Sequence, residues 1–523
     1  MRARETAAVA ALLLALAVQL GLAVRGDGLT SDELLYVPAG FLHVARFDLS
    51  LDTTHPPLAP ALAGLALLGA GVAVPERAPG EETLAYCFRF LHEANAGRAL
   101  WERARVPAVL LTLALAALLW RWARATHGTA AGLVALALAA FDPSLLAHGH
   151  LATTDLPATL AMAVAAWTYW RWSQQPGLAR ALAMGAAVGA ALAVRVTGGL
   201  VLPGFAALEL WTWWRTAPPQ RGARVRAALA AAAIGLVAIP LVVCAAYGFH
   251  PGGLARYADN VRFQLDHDRR GHLTYLLGEV SRRGWPSYFA IALAVKSTPG
   301  FLLGLALAAA AAIRRVGDPA GVRAHWWMPA LAVLGALSAG GIQIGERYLL
   351  PVHAFGALLI ASAAPSLLQR RGGRALLALV LAGHAVPAVL AAPRGYLPYF
   401  NRLAGGTDGG HRVLLDSNLD WGQDLPRLAA WMRSEGVSEI ALGYVGADQP
   451  DRLGIARRDL PGRNLYAASA PDAPLAGTVV VSPALVYGLA PRHAAYYAPL
   501  RDRAPDARAG VFFVYRMGED ARR

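Results

Sequence analysis

Alanine- and leucine-rich runs, each long enough to cross a bilayer, recur between residues 7 and 392, and nothing else in the sequence limits the fold as strongly. They lie at 7–24, 105–122, 129–147, 156–172, 180–195, 198–214, 227–248, 286–312, 326–344, 348–367 and 375–392. A hydrocarbon layer of about 30 Å needs about 20 apolar residues in a helix, so these runs predict about eleven transmembrane helices. Composition agrees: 56% of the residues are hydrophobic and 16% charged, against about a quarter charged in soluble domains. The formal net charge of +14 would suit nucleic acid, but the arginines fall in short loops between apolar runs rather than on one face. That pattern belongs to membrane topology and excludes nucleic acid as a partner.

The opening "MRARETAAVAALLLALAVQLGLAV" has a basic start and an apolar core without a clean small-x-small cleavage site. It reads as an uncleaved first membrane helix. The run 57–74, "PLAPALAGLALLGAGVAV", starts at the second residue of the pair Pro56-Pro57 and is rich in glycine and alanine, so it is expected at the interface rather than across the membrane. The basic loops test that choice. With Arg2 and Arg4 inside, the cytoplasmic loops become "RWARATHG", "RWSQQPGLAR", "RTAPPQRGARVR", "RRVGDPAGVRAH" and "QRRGGR", each short and basic. Counting 57–74 as a span would invert all five.

The same parity places Asp32, Glu33, His55, His148, His150, Asp155, Arg195, Lys296, Glu346 and Arg347 at or near the outer face, with everything after residue 393. The outer 249–285 loop carries Arg256, Arg262, Arg269, Arg270, Arg282 and Arg283, against the usual charge bias. Residues 393–523 change character: "EIALGYVG", "GTVVVSPALVYG" and "AGVFFVYRM" read as strands, beside a helical "QDLPRLAAWMRSEG". The division expected is a membrane domain over 1–392 and a small outer α/β domain over 393–523. Cys87 and Cys244 are the only cysteines and lie far apart, which excludes a disulfide framework or a zinc–thiolate site.

Several polar residues in this apolar chain bear on chemistry. Asp32 and Glu33 in "SDELLYVPAG" follow the first run, where a carboxylate can act as general base or simply cap a helix. "HGHLATTDLPATL" offers His148, His150 and Asp155, a loose metal-binding spacing or a helix N-cap. No cofactor is called for, and a divalent metal stays open. Lys296 is the only lysine, a compact charge suited to a phosphate oxygen or a side chain snorkelling to the interface. Arg195 sits at an outer helix end, where an ion is costly and often marks a ligand path. Glu346 and Arg347 in "GERYLLP" either line that path with Tyr348 or pair with each other. In "LLDSNLDWGQDL", Asp416, Asn418, Asp420, Trp421, Gln423 and Asp424 suit a carbohydrate, or else form a turn and a capped helix with Trp421 packed inside.

Taken in order, "SDELLYVPAG", "THPPLAPALAG", "HGHLATTDLPAT", "KSTPG" and "ERYLLPVHAF" make the chain resemble the GT-C superfamily of integral-membrane glycosyltransferases. The likeness is to the branch with protein O-mannosyltransferases and the lipid A aminoarabinose transferase. "LLDSNLDWGQDLPRLAAWM" is similar to a bacterial C-terminal extension of unassigned acceptor. The resemblance implies a polyprenyl-phosphate-linked sugar donor at the outer leaflet and inverting transfer to a hydroxyl on a lipid, glycan or protein. It implies Asp32, with Glu33 beside it, as catalytic base and Asp155 as a second acidic position of the cleft. It implies Arg195, Lys296 and Arg347 as phosphate-binding candidates; His55, Glu346 and Tyr348 join the expected substrate-binding set. The trefoil-type insertion of dedicated protein O-mannosyltransferases is absent, so the acceptor does not carry over. A transporter or flippase of a lipid-linked or anionic substrate is the main alternative, although it would show inverted halves and charges at mid-span. Arginine-heavy, lysine-poor usage points to a GC-rich bacterium, hence to an inner membrane with a periplasmic site.

Overall fold

The structure, a computed structural model, describes residues 2–52, 54–96, 99–313, 321–462 and 473–518. It is largely helical. Five of its described helices are long and apolar enough to cross a membrane: Ala3–Gly26, Leu100–Ala140, Pro218–Ala246, Glu346–Leu368 and Arg371–Arg394. The helices Tyr288–Lys296 and Pro299–Ile313, bent by 116° at their junction, would make a sixth. Leu14, Leu22, Leu236, Val237 and Leu390 stand exposed on these helices, the surface of a multi-pass membrane protein rather than one facing water.

The expected spans are thus not met one for one. The helices Leu178–Val194, Val201–Arg215 and Ala324–Ala339 fall short of a full crossing length, and a 3₁₀ turn, Val196–Leu200, interrupts the first two. The two spans expected at 105–122 and 129–147 meet at Gly128, whose φ of 84° breaks Val106–Ala140 at the end of the "RWARATHG" loop. Part of the "RRVGDPAGVRAH" loop, residues 314–320, lies outside the described residues. Helices Leu178–Val194 and Pro218–Ala246 pack through small residues: a Cβ on Gly185 would lie 2.9 Å from that of Ala238.

The run 57–74 forms only a short helix, Leu58–Leu65, of about 12 Å, far too short to span. It crosses the helix Glu33–Arg46 at a glycine pair. A Cβ on Gly40 would stand 1.8 Å from the Pro60 carbonyl oxygen, and one on Gly64 2.2 Å from the Gly40 carbonyl oxygen. This backbone-to-backbone contact fixes the first outer loop.

After residue 393 the chain builds a five-stranded mixed sheet in the order Arg457–Asp459, Ile440–Gly443, Gly477–Val481, Phe512–Met517, Ala507–Ala509. The first three strands run parallel and the last two pair antiparallel. Helix Leu425–Glu435 stops at Gly436, whose φ of 66° is the left-handed C-cap that glycine adopts readily. A two-stranded hairpin, Thr274–Leu276 with Glu279–Ser281, rises from the 249–285 loop and meets Leu414 through an isolated bridge.

Candidate active site

The position of Asp32 is set by a buried arginine beneath it. Arg105, with no exposed surface, donates to the carbonyls of Val24, Asp27 and Gly28 at 3.1, 2.7 and 2.6 Å. It also meets both oxygens of Glu33, Nε at 2.8 Å and Nη2 at 2.7 Å. The Glu33 oxygens accept further from the Thr30 amide and hydroxyl and from the Ala152 amide. Burial alone would raise the Glu33 pKa, but the Arg105 charge and these bonds hold it below the usual value. Adjacent residues at a helix start diverge by about 100° around the axis. Glu33 therefore turns inward as a structural anion, while Asp32 faces outward. Glu33 thus lies apart from the cavity that Asp32 lines, although the two are adjacent in sequence.

Four charges from distant segments then meet. Arg347 Nη1 lies 2.7 Å from Asp32 Oδ2 and 3.5 Å from Asp155 Oδ2, and Arg195 pairs with Asp155 through Oδ1. The Arg195 guanidinium lies 4.3 Å from the centre of the Tyr348 ring, and that of Arg347 4.3 Å from the Trp421 ring. Within this row of carboxylate, guanidinium, carboxylate and guanidinium, only Asp32 is substantially open, with 28% of its side chain exposed against 7% for Arg347 and none for Asp155. Asp32 and Arg347 open together into a cavity of about 470 Å³ that Asp416, Asp420, Trp421 and Arg282 also line.

Other expected residues lie nearby with different partners. Lys296 is buried, and its ammonium donates to the carbonyls of Leu397 and Asn418 at 2.7 and 2.8 Å, beneath the Phe400 ring. It clamps the C-terminal segment and is not among the residues lining the cavity. Glu346 does not pair with Arg347; its carboxylate faces His353 at 2.8 Å, and His353 faces Asp142 at the same distance on its other side. Tyr348 lies with Asp155, Arg195 and Arg347 around a much smaller void behind the cavity. His55 sits 2.8 Å from the Thr54 hydroxyl and edge-on to Tyr36, with burial pushing its pKa down to about 4.

The two histidines of "HGH" separate. His148 stands edge-on to Trp421, whereas His150 bridges Asp27 at 3.0 Å and the Leu146 carbonyl. Among the described residues, no three His, Cys, Asp or Glu side chains converge as a metal site would require.

The turn that carries Asp416, Asp420 and Trp421 is bolted to both sides of the charge row. Ser31, next to Asp32, donates its amide to the Trp421 carbonyl at 3.0 Å. Glu346, next to Arg347, donates its amide to Asn418 Oδ1 at 2.8 Å. Ser417 Oγ donates to the Ile344 carbonyl, and Asn418 Nδ2 to the Tyr288 hydroxyl. Trp421 is packed inside, as the structural reading of "LLDSNLDWGQDL" expected, yet the same turn carries Asp416 and Asp420 to the cavity.

Two contributors escaped sequence reasoning. Asp27 anchors His150 and Arg427, the latter at 2.8 Å, tying the first helix's end to the C-terminal region. Arg105 had a usable signal: with Arg103 it opens an apolar run on the side expected to face outward, against the positive-inside bias.

Comparison with known proteins agrees with this architecture. Residues 96–243 match the family profile described as dolichyl-phosphate-mannose-protein mannosyltransferase. No curated protein is significantly similar to the chain in sequence. Among solved structures, ArnT from Cupriavidus metallidurans bound to undecaprenyl phosphate is similar over 97% of each chain, with a TM-score of 0.50 and 16% identity. Its apo state aligns over the same share at a TM-score of 0.45 and 16% identity. The apo oligosaccharyltransferase of Archaeoglobus fulgidus aligns over 82% of this chain and 58% of its own, at 0.43 and 13% identity.

Proposed function

Taking as premise that the chain has the fold of the GT-C integral-membrane glycosyltransferases, we propose that it is an inverting glycosyltransferase. It moves a sugar from a polyprenyl-phosphate carrier to a hydroxyl on a lipid, glycan or protein. The observation that carries this reading is the pairing of Asp32 and Arg347 at the mouth of the cavity. An accessible carboxylate and an anion-binding guanidinium stand 2.7 Å apart, with Asp155 and Arg195 holding the guanidinium from behind.

The pair suits a single displacement. With no substrate, Arg347 neutralises Asp32. A carrier phosphate entering beside Arg347 competes for its N–H groups and frees Asp32 to accept a hydrogen bond from the acceptor hydroxyl. The acceptor oxygen attacks the anomeric carbon on the face opposite the phosphate. The bond from that carbon to the phosphate oxygen breaks and its electron pair leaves with the carrier, while the hydroxyl proton passes to Asp32. Arg347 stabilises the charge developing on the leaving phosphate, where a fixed cation in a dry site is most effective. Arg195 and Tyr348 keep Asp155, and through it Arg347, in place.

The topology that fits is eleven spans, several of them short or bent. Residues 1–392 form the catalytic membrane domain and 393–523 an outer domain, in a bacterial inner membrane with the site facing the periplasm. The basic loops on the opposite side support that orientation. The test is a panel of polyprenyl-phosphate sugars of defined anomeric configuration, presented to the protein in lipid with membrane extract as acceptor. Release of free carrier phosphate with a labelled product of inverted configuration is expected. Movement of intact donor between leaflets without cleavage would replace this reading with the transporter.

A further inference from the structure

Asp420 is a buried carboxylate on the cavity lining with one oxygen short of a donor. It is 4% exposed and lines the cavity. Its Oδ1 accepts the Gly422 amide at 3.1 Å, and its Oδ2 receives no hydrogen bond of acceptable geometry, although the Ser482 hydroxyl is its neighbour. A buried carboxylate oxygen without a donor is costly to keep unless a ligand supplies one. The turn that presents it is rigid: Asp416 adopts a left-handed φ of 59°, with its own Oδ1 accepting the Ser417 amide at 2.6 Å. The bonds from Ser31 and Glu346 fix that turn to the immediate neighbours of Asp32 and Arg347.

We propose that the cavity is the acceptor site, that Asp420 Oδ2 receives a hydrogen bond from an acceptor hydroxyl adjacent to the one attacked, and that the acceptor is a neutral carbohydrate. The inference rests on the glycosyltransferase reading and names the acceptor side of the same site. Three lines favour a carbohydrate over a peptide or an anionic lipid headgroup. A sugar carries vicinal hydroxyls, so one can reach Asp32 while its neighbour donates to Asp420. The cavity lining carries three carboxylates, Asp32, Asp416 and Asp420, against two guanidiniums, Arg282 and Arg347, a set richer in acceptors for hydroxyls than in partners for a phosphate. A volume of about 470 Å³ is that of a small-ligand pocket, lined by the first loop, the helix starts and the C-terminal region together. Burial also pushes the Asp420 pKa up to about 7, so the group can accept from a hydroxyl without holding a full charge at neutral pH.

The experiment measures equilibrium binding of radiolabelled alkyl glycosides of neutral hexoses to the full chain in lipid nanodiscs, beside transfer assays with the donor panel. Wild type should bind a glycoside. Asp420→Asn should weaken that binding by about tenfold, the loss of one hydrogen bond to a partly charged carboxylate, while donor binding stays unchanged. Asp420→Ala should bind the glycoside no better than Asp420→Asn. Glycoside binding equal in wild type and both variants overturns the proposal, as does a defect confined to the donor. If the wild type cleaves donor but labels only a serine- or threonine-containing peptide, or only phosphatidylglycerol vesicles, the carbohydrate assignment fails and the glycosyltransferase reading survives. If glycoside binds through Asp420 and no donor is ever cleaved, the site stands and the glycosyltransferase reading fails.

Discussion

Replacing Glu33 by glutamine separates the two neighbouring carboxylates that open the first outer loop. Every contact of the Glu33 carboxylate is an acceptance. Oε1 takes Arg105 Nε and the Ala152 amide at 2.8 and 2.9 Å, and Oε2 takes Arg105 Nη2, the Thr30 amide and the Thr30 hydroxyl at 2.7, 3.0 and 2.9 Å. A glutamine NH₂ at either oxygen would face only donors, and Arg105 would be left buried without its counter-charge. Breaking a fully buried ion pair from one side costs about 3–5 kcal/mol. For domains of 150–250 residues each kcal/mol lowers the midpoint by about 2–4 °C, so in this longer chain Glu33→Gln should fall by about 5–10 °C. The assay is thermal unfolding of purified protein in detergent, read beside specific activity normalised to folded protein. Activity per folded molecule should stay within about threefold of wild type, since an inward structural anion takes no part in proton transfer. The wild-type contribution also has a defined pH sense. Because the folded pKa is held below the unfolded value near 4.5, this stability is complete above that value and disappears as pH falls through the lower folded pKa. A Glu33→Gln protein of unchanged midpoint and hundredfold lower activity would refute the reasoning and return Glu33 to the catalytic centre.

Further predictions rest on other contacts. Gly40→Ala would drive a methyl into the Pro60 carbonyl, so the crossing at the first outer loop must open; expression, thermal midpoint and transfer should all drop, as a stability and activity series would show. Asp420 has the opposite pH sense to Glu33: its folded pKa near 7 lies above the unfolded 3.8, so stability is greatest at low pH and is lost as pH rises through 7. Asp420→Asn should therefore raise the midpoint relative to wild type by more at pH 8 than at pH 5, in parallel melts at the two values. Arg347→Lys retains a charge but loses the planar guanidinium, whose Nη1 meets Asp32 and Asp155 and whose other N–H groups could take a phosphate; carrier-phosphate affinity, measured with radiolabelled undecaprenyl phosphate, should fall by about tenfold or more.

Much of this was legible in the chain because hydropathy and charge act over whole segments. The apolar runs marked the helices, and the pair Pro56-Pro57 at the start of 57–74 was enough to keep that stretch from becoming a span. Asp32, Asp155, Arg195, Arg347 and Tyr348 were singled out as separate outer-face polar residues, and the fold brings all five into one cluster. Pairings were harder to read. Asp32 and Glu33 are adjacent in sequence and alike in chemistry, and only the turn of the helix and the distant Arg105 tell them apart. The acceptors of Lys296, the carbonyls of Leu397 and Asn418, come from the C-terminal segment and leave no mark in local sequence. Short and broken helices were counted as full spans because composition averages over the 3₁₀ turn at Val196–Leu200 and over the 116° bend after Lys296.

The central claim is that Asp32 takes the acceptor proton, and Asp32→Asn tests it most directly. Donor binding and turnover should be measured on the same purified variant in lipid, with the carrier-linked sugar that wild type consumes. The account predicts donor affinity within about threefold of wild type and turnover lower by about 10²–10⁴-fold, the loss of a general base. An Asp32→Asn protein that transfers sugar at the wild-type rate would contradict it.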